Sequence, residues 1–247
     1  MPYQGDSAIA RFYDGDYEHF RTPSGDVAFY VEEARRAGGP VLELGCGTGR
    51  ILVPTARAGV AITGVDASEA MLARLRAKLP DADVHRGDMR DVDIGRRFAL
   101  VTIPFRALAH VLEAEDHVRV LANARRHLVP EGRLVFDFFH PNPRFLAGPR
   151  EETLDFERRE GARTIRRYSS AVPHPWRQVN DVTFRWEVEE AGRIERARAE
   201  FPMRWFYRYE LEHALARAGL RLEALYGAFD RSPFGPDSRE MIFEARA

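Results

Sequence analysis

From Pro40 onward, short apolar runs alternate with amphipathic stretches, the pattern of a chain that lays down strand and helix in turn to build a mostly parallel sheet. The apolar runs predict strands over residues 41–44, 61–65, 83–86, 99–103 and 134–138. Between them, Ser68 is placed to cap a helix that carries Met71, Leu72, Leu75 and Leu79 on one face and stops at Pro80. A second helix is predicted over about 116–128, with Val118, Leu121, Ala122 and Leu128 facing inward. Upstream, Val27, Ala28, Val31 and Ala34 predict a covering helix behind Asp26, a candidate cap. Pro54 withholds a backbone donor from the helix after residue 49, which only a first turn tolerates.

Past His140-Pro141-Asn142-Pro143 the period changes to two. Val182, Phe184, Trp186 and Val188 share one face of a strand, and Ala197, Ala199, Phe201, Met203 and Trp205 share one face of the next. Ala191-Gly192-Arg193 can turn the chain between them, and residues 164–168 predict a further strand. A helix over 208–218, ended by Gly219, and strands over 220–226 and 239–245 close the sequence. The predicted fold class is α/β: a Rossmann-like seven-stranded mixed sheet with its last strand antiparallel, helices on both faces and an antiparallel β insertion.

Composition narrows the partners. The chain has 247 residues, enough for one domain with a sizeable core. Its 37 basic and 38 acidic side chains leave a formal charge of −1, so no bulk field favours nucleic acid or an anionic membrane. Arginines at 158, 159, 163, 166 and 167 are interleaved with Glu157 and Glu160, which predicts a solvated face. No apolar run approaches the roughly 20 residues of a membrane helix, and the first residues lack an export signal's apolar stretch, so the expected location is cytoplasmic. The single cysteine, Cys46, excludes an internal disulfide and reads as small filler; no metal is expected.

The chemistry concentrates at three strand ends. Glu43-Leu44-Gly45-Cys46-Gly47-Thr48-Gly49 leaves the first strand, Val65-Asp66 ends the second, and Gly87-Asp88-Met89 follows the third. Such glycines let a backbone approach a ligand closely and turn N–H groups toward it, and an acid at the end of the next strand can accept ribose hydroxyls. A dinucleotide fingerprint would space its glycines as G-x-G-x-x-G, whereas here they stand at 45, 47 and 49, though a nicotinamide enzyme remains the runner-up.

These motifs resemble the class I S-adenosylmethionine-dependent methyltransferase family. The resemblance implies S-adenosyl-L-methionine as methyl donor, with S-adenosyl-L-homocysteine as product, held by Glu43, Gly45, Cys46, Gly47, Gly49, Asp66, Ala67, Met71, Gly87, Asp88, Met89 and Thr102. After strand four the chain reads Thr102-Ile103-Pro104-Phe105-Arg106-Ala107-Leu108-Ala109-His110, without the Asn/Asp-Pro-Pro-Tyr pattern that captures a base amine. This stretch resembles the branch that methylates amino groups of nucleotide-linked sugars, which implies His110 as a proton acceptor. Phe12-Tyr13-Asp14-Gly15-Asp16-Tyr17 resembles a tyrosine-bearing lid, implying a catalytic or orienting role for Tyr13 and acceptor contact for Tyr17. Phe105, Arg106, Trp176, Arg204 and Trp205 are the remaining expected acceptor contacts, and Arg177 and Arg208 could meet phosphates. Arg21 is a candidate for a carboxylate.

The expected organisation is a lid and helices over 1–38, a cofactor core over 39–145, a β insertion roofing the acceptor over 150–206, and a terminal helix with two strands over 207–247. The expected activity is methyl transfer to nitrogen or oxygen of a small molecule by a monomer or homodimer. A binding protein without turnover and a nucleic-acid methyltransferase are the other readings.

Overall fold

The computed structural model describes residues 7–19 and 25–247; Arg21 lies outside them. Helices α1 (Ser7–His19) and α2 (Asp26–Ala37) precede β1 (Val41–Leu44), α3 (Leu52–Arg57), β2 (Ile62–Asp66), α4 (Glu69–Lys78), β3 (Asp83–Arg86) and β4 (Phe98–Ile103). A single 3₁₀ turn, Ala107–His110, leads into α5 (Ala114–Arg126), β5 (Leu128–Phe139) and the short α6 (Pro143–Leu146). Four long strands follow: β6 (Arg150–Glu160), β7 (Arg163–His174), β8 (Val179–Glu190) and β9 (Arg193–Arg204). Then come α7 (Arg208–Arg217), β10 (Arg221–Tyr226) and β11 (Glu240–Arg246).

One sheet runs β10-β11-β5-β4-β1-β2-β3, and only β11 opposes its neighbours. The order reverses beside β1, so the connections leaving β1 and β4 part to opposite sides of the sheet and a crevice forms at the strands' carboxyl ends. The second sheet is the meander β6-β7-β8-β9. Ala191 and Gly192 both take positive φ, 48° and 74°, as a two-residue hairpin turn that matches strand twist requires.

Local signals placed most elements. The Ser68 hydroxyl accepts the Met71 N–H at 3.3 Å, and Met71, Leu72 and Leu75 are buried. Pro54 sits in the first turn of α3, where its missing donor costs little. Three expectations need correction. The cap of α2 is Gly25, at φ 86°, while Asp26 instead forms an ion pair with Arg50 at 2.8 Å. The inner face of α5 is His117, Val120, Leu121 and Ala124; Val118 is half-buried and Ala122 exposed. Two polar residues join that face because their hydrogen bonds are met inside: His117 Nε2 bonds the Val111 carbonyl at 2.6 Å, and the Asn123 amide donates to the Met89 and Val92 carbonyls. The arginine run is not wholly solvated either, since Arg158 and Arg167 are buried around Asp16 of α1.

That buried group joins the two sheets. Asp16 accepts from the Trp186 indole N–H at 2.9 Å and from Arg167 at 3.3 Å, while Phe12 stacks on Trp186 with 5.0 Å between centroids. On its other side α1 holds Asp14, which accepts from the Thr48 hydroxyl at 2.6 Å and pairs with Lys78 at 2.8 Å. Helix α1 therefore bridges the glycine turn and the meander.

Candidate active site

Between the crevice and the meander lies a cavity of about 1050 Å³. At one end it is lined by Gly45, Gly47, Asp66, Ser68 and Met71. Gly45 has φ 80°, and a β-carbon there would stand 2.8 Å from that of Ala107, so only glycine fits. The Gly45 and Cys46 N–H groups donate to the Val65 carbonyl at 2.7 and 3.0 Å, tying the turn to β2. Asp66 then fastens it from the strand end: Oδ2 accepts the Gly47 N–H and Oδ1 the Ser68 N–H, each at 2.8 Å. Each carboxylate oxygen still has a second acceptor site to offer a hydroxyl. Burial raises the Asp66 carboxyl, and these backbone donors oppose the rise.

Glu43, 1% exposed, carries an Oε2 with no hydrogen-bond partner among the described residues. Burial first, and Asp66 second, push its carboxyl well above the usual range. Glu43 is not itself part of the cavity wall; a donor that reached past the glycine turn, such as the ammonium of an amino-acid ligand, would satisfy this atom. The residues present therefore fit S-adenosylmethionine: a carboxylate for its ribose, an acid for its amino group and a turn that admits close approach.

The other expected cofactor residues surround this end without facing the cavity. Cys46 is buried against Leu52, Leu72 and Leu75, where burial pushes its thiol up. Ala67, Met89 and Thr102 are buried, Gly49 turns the chain at φ 86°, and Gly87 is packed against Val92. Asp88 spends its carboxylate on Arg90, with contacts to its N–H, Nε and second guanidinium nitrogen at 2.9, 3.0 and 2.6 Å.

The middle of the cavity is aromatic. Tyr13 and Tyr17 of α1 lie 4.5 Å apart by ring centroids, and Tyr17 meets Phe105 edge-on at 4.7 Å. Burial raises both phenols, so they stay protonated. His110 also lines the wall; it hydrogen-bonds the Pro202 carbonyl and meets Phe201 edge-on. Burial pushes its imidazole down to about 3, so the ring is neutral.

Four arginines reach the cavity: Arg106, Arg150, Arg167 and Arg239. Arg106 pairs with Glu240 at 2.7 Å and Arg167 with Asp155 and Asp16, whereas Arg150 and Arg239 are exposed and have no carboxylate partner among the described residues. Neither of these two was expected from the sequence. The expectation that Trp176, Arg204 and Trp205 line the acceptor pocket is not met. Trp176 is 85% exposed in the turn after β7, Trp205 is core, and Arg204 donates to the Leu112 carbonyl at 2.6 Å. Arg177 stands over the exposed Trp176 ring and Arg208 pairs with Glu212, so neither contributes to the wall. No cluster that could hold a metal ion occurs among the described residues.

Residues 41–132 match a family model described as a methyltransferase domain. The chain is 31% identical over 232 residues to the dTDP-3-amino-3,4,6-trideoxy-α-D-glucopyranose N,N-dimethyltransferase of Streptomyces venezuelae, covering 94% of this chain and 93% of the relative. It is 29% identical over 255 residues to the dTDP-3-amino-3,6-dideoxy-α-D-glucopyranose N,N-dimethyltransferase of Streptomyces fradiae, covering 97% and 91%. Among solved structures it resembles S-adenosylmethionine-bound CalS10, an amino pentose methyltransferase from Micromonospora echinaspora, with a TM-score of 0.76, 29% identity and 95% of each chain covered.

Proposed function

This chain belongs to the class I S-adenosylmethionine-dependent methyltransferase family and methylates a small molecule, and we propose that the acceptor is an amino sugar carried on a nucleotide, methylated at its nitrogen. The observation that carries the proposal is the chemistry of the cavity's lining. Asp66 and the glycine turn line this cavity together with two arginines that have no acidic partner among the described residues, and 1050 Å³ lies at the top of the range of small-molecule pockets. A nucleotide's phosphates are the anions such arginines hold best. The likeness to two dTDP-amino-sugar N,N-dimethyltransferases supports the same acceptor class.

S-adenosylmethionine supplies a methyl group already activated on a sulfonium, so the protein's task is to place a nucleophile in line and keep water away. Asp66 would hold the ribose and Glu43 the amino group. Tyr13, Tyr17 and Phe105 form an apolar collar around the middle of the cavity that excludes water. His110, neutral and bonded to the Pro202 carbonyl, lines the wall beside the amine; its Nδ1 is buried, so it would accept the amine N–H only after a shift of the ring. With its affinity for protons so low, a ring so shifted aims the amine's lone pair by hydrogen bonding, and the proton of the methylated product departs to solvent. Arg150 and Arg239 hold the phosphates and so fix the sugar at a set distance from them. Titrating the protein, loaded with S-adenosylhomocysteine, with a dTDP-amino sugar tests the proposal: saturable binding that weakens with salt supports it, and no binding at millimolar ligand defeats it.

A further inference from the structure

Within the run Leu134–Phe138 of β5, Asp137 is an acid with no solvent exposure. Its Oδ1 accepts two hydrogen bonds of 2.7 Å, from the Tyr30 hydroxyl and from the Phe105 backbone N–H. Phe105 and Arg106 both take left-handed φ, 54° and 60°, an unfavourable conformation for residues with β-carbons. Each such residue costs of order 1–3 kcal/mol and persists only where its surroundings over-determine it.

The surroundings here are specific. Asp137 takes the Phe105 N–H, Glu240 takes the Arg106 guanidinium at 2.7 Å, and the Phe105 ring is held between Tyr17 and the Arg50 guanidinium, 4.9 Å from its centroid. This turn leads directly into the 3₁₀ segment that ends at His110. Phe105, Arg106, Ala107 and His110 line the cavity, whereas Asp137 and Tyr30 do not.

We propose that Asp137 is a positioning residue for methyl transfer: by accepting the Phe105 N–H it holds the 104–107 turn, and with it His110 and the aromatic collar, in the shape that aligns the acceptor amine. What the turn needs from Asp137 is a hydrogen-bond acceptor, not a charge. The inference rests on the acceptor lying beside this turn, as proposed above. A displaced turn misplaces the amine, while Asp66 keeps its own backbone donors at Gly47 and Ser68. A misplacement of about 1 Å is enough to lose on the order of 10²-fold in rate.

Three variants test it: Asp137→Asn, Asp137→Ala and Tyr30→Phe. Asp137→Asn keeps an amide oxygen for both donors, so kcat should stay near wild type and the Phe105 amide should remain slow in hydrogen exchange. Asp137→Ala should lose on the order of 10²-fold in kcat and expose the Phe105 amide to exchange, with affinity for S-adenosylhomocysteine unchanged. Tyr30→Phe removes only the second donor, so kcat and Phe105 protection should persist. Loss of kcat in Asp137→Asn, or loss of cofactor affinity in step with kcat in Asp137→Ala, overturns the proposal. Should Asp137→Ala fail to fold, Asp137→Asn and Tyr30→Phe decide on their own: both must retain kcat and Phe105 protection. If wild type methylates no amino sugar, the proposed acceptor is wrong, and the Phe105 exchange pattern still judges Asp137.

Discussion

Replacing Asp66 by alanine removes one carboxylate that the structure gives two tasks. In the free protein it accepts the Gly47 and Ser68 N–H groups, both at 2.8 Å, and so sets the path of the glycine turn and of the start of α4. With S-adenosylhomocysteine bound, the second lone pair of each oxygen would take a ribose hydroxyl. A hydrogen bond to a charged group contributes about 1.5–3 kcal/mol, so two ribose contacts amount to roughly 3–6 kcal/mol. The lower end, about 3 kcal/mol, already corresponds to a loss in affinity of roughly 10²-fold. Asp66→Asn keeps one oxygen acceptor and should fall between. Isothermal titration with S-adenosylhomocysteine measures both, and circular dichroism establishes that each variant is folded. A folded Asp66→Ala that binds as tightly as wild type would refute the assignment of Asp66 to the ribose.

His110→Ala should lower kcat while leaving the affinity for S-adenosylhomocysteine intact; because the imidazole is pushed down to about 3, His110 should contribute no inflection to the kcat profile between pH 5 and 8. An acid limb near pH 6.5 that disappears in His110→Asn would contradict this. The same burial makes a stability prediction: His110 and His117, at about 3 and about 4, are depressed below the unfolded value of 6.5. Their contribution is present above pH 6.5 and is lost as pH falls toward 4, so urea unfolding should show a loss over that window that is smaller in His117→Gln. Arg150→Ala and Arg239→Ala should each raise the acceptor KM roughly tenfold, with kcat little changed, and weaken its salt dependence. A kcat that falls while KM holds would place these arginines elsewhere in the chemistry.

How far the sequence could be read depended on whether its signals were local. Ser68, Pro80, Gly219 and the Ala191-Gly192 pair act within a few residues of chain, and they delimit elements close to where their types predict. The glycine spacing is equally local, and its geometry follows from β1 ending at Leu44. Strand β6, Arg150–Glu160, escaped notice because charged residues on both faces mask its period of two. Arg158 and Arg167 read as surface because their burial depends on Asp16, more than a hundred residues away in sequence. Asp137 and Glu240 were missed for the same reason, although an acid inside the apolar run Leu134–Phe138 is itself a signal, since a carboxylate is seldom buried without partners. Trp176 misled in the opposite sense: its aromatic character suggested a wall, but a turn placed it in solvent.

The central claim is that one cavity brings an activated methyl group and the nitrogen of a nucleotide-linked amino sugar together. Incubating the protein with S-adenosylmethionine and a dTDP-amino-deoxyhexose, and following both products by mass spectrometry, tests it most directly. The account predicts S-adenosylhomocysteine formed in step with a sugar carrying one or more added methyl groups on nitrogen, identified by fragmentation. Methyl groups found on oxygen, or an unmodified sugar under conditions where S-adenosylhomocysteine binds, would contradict it.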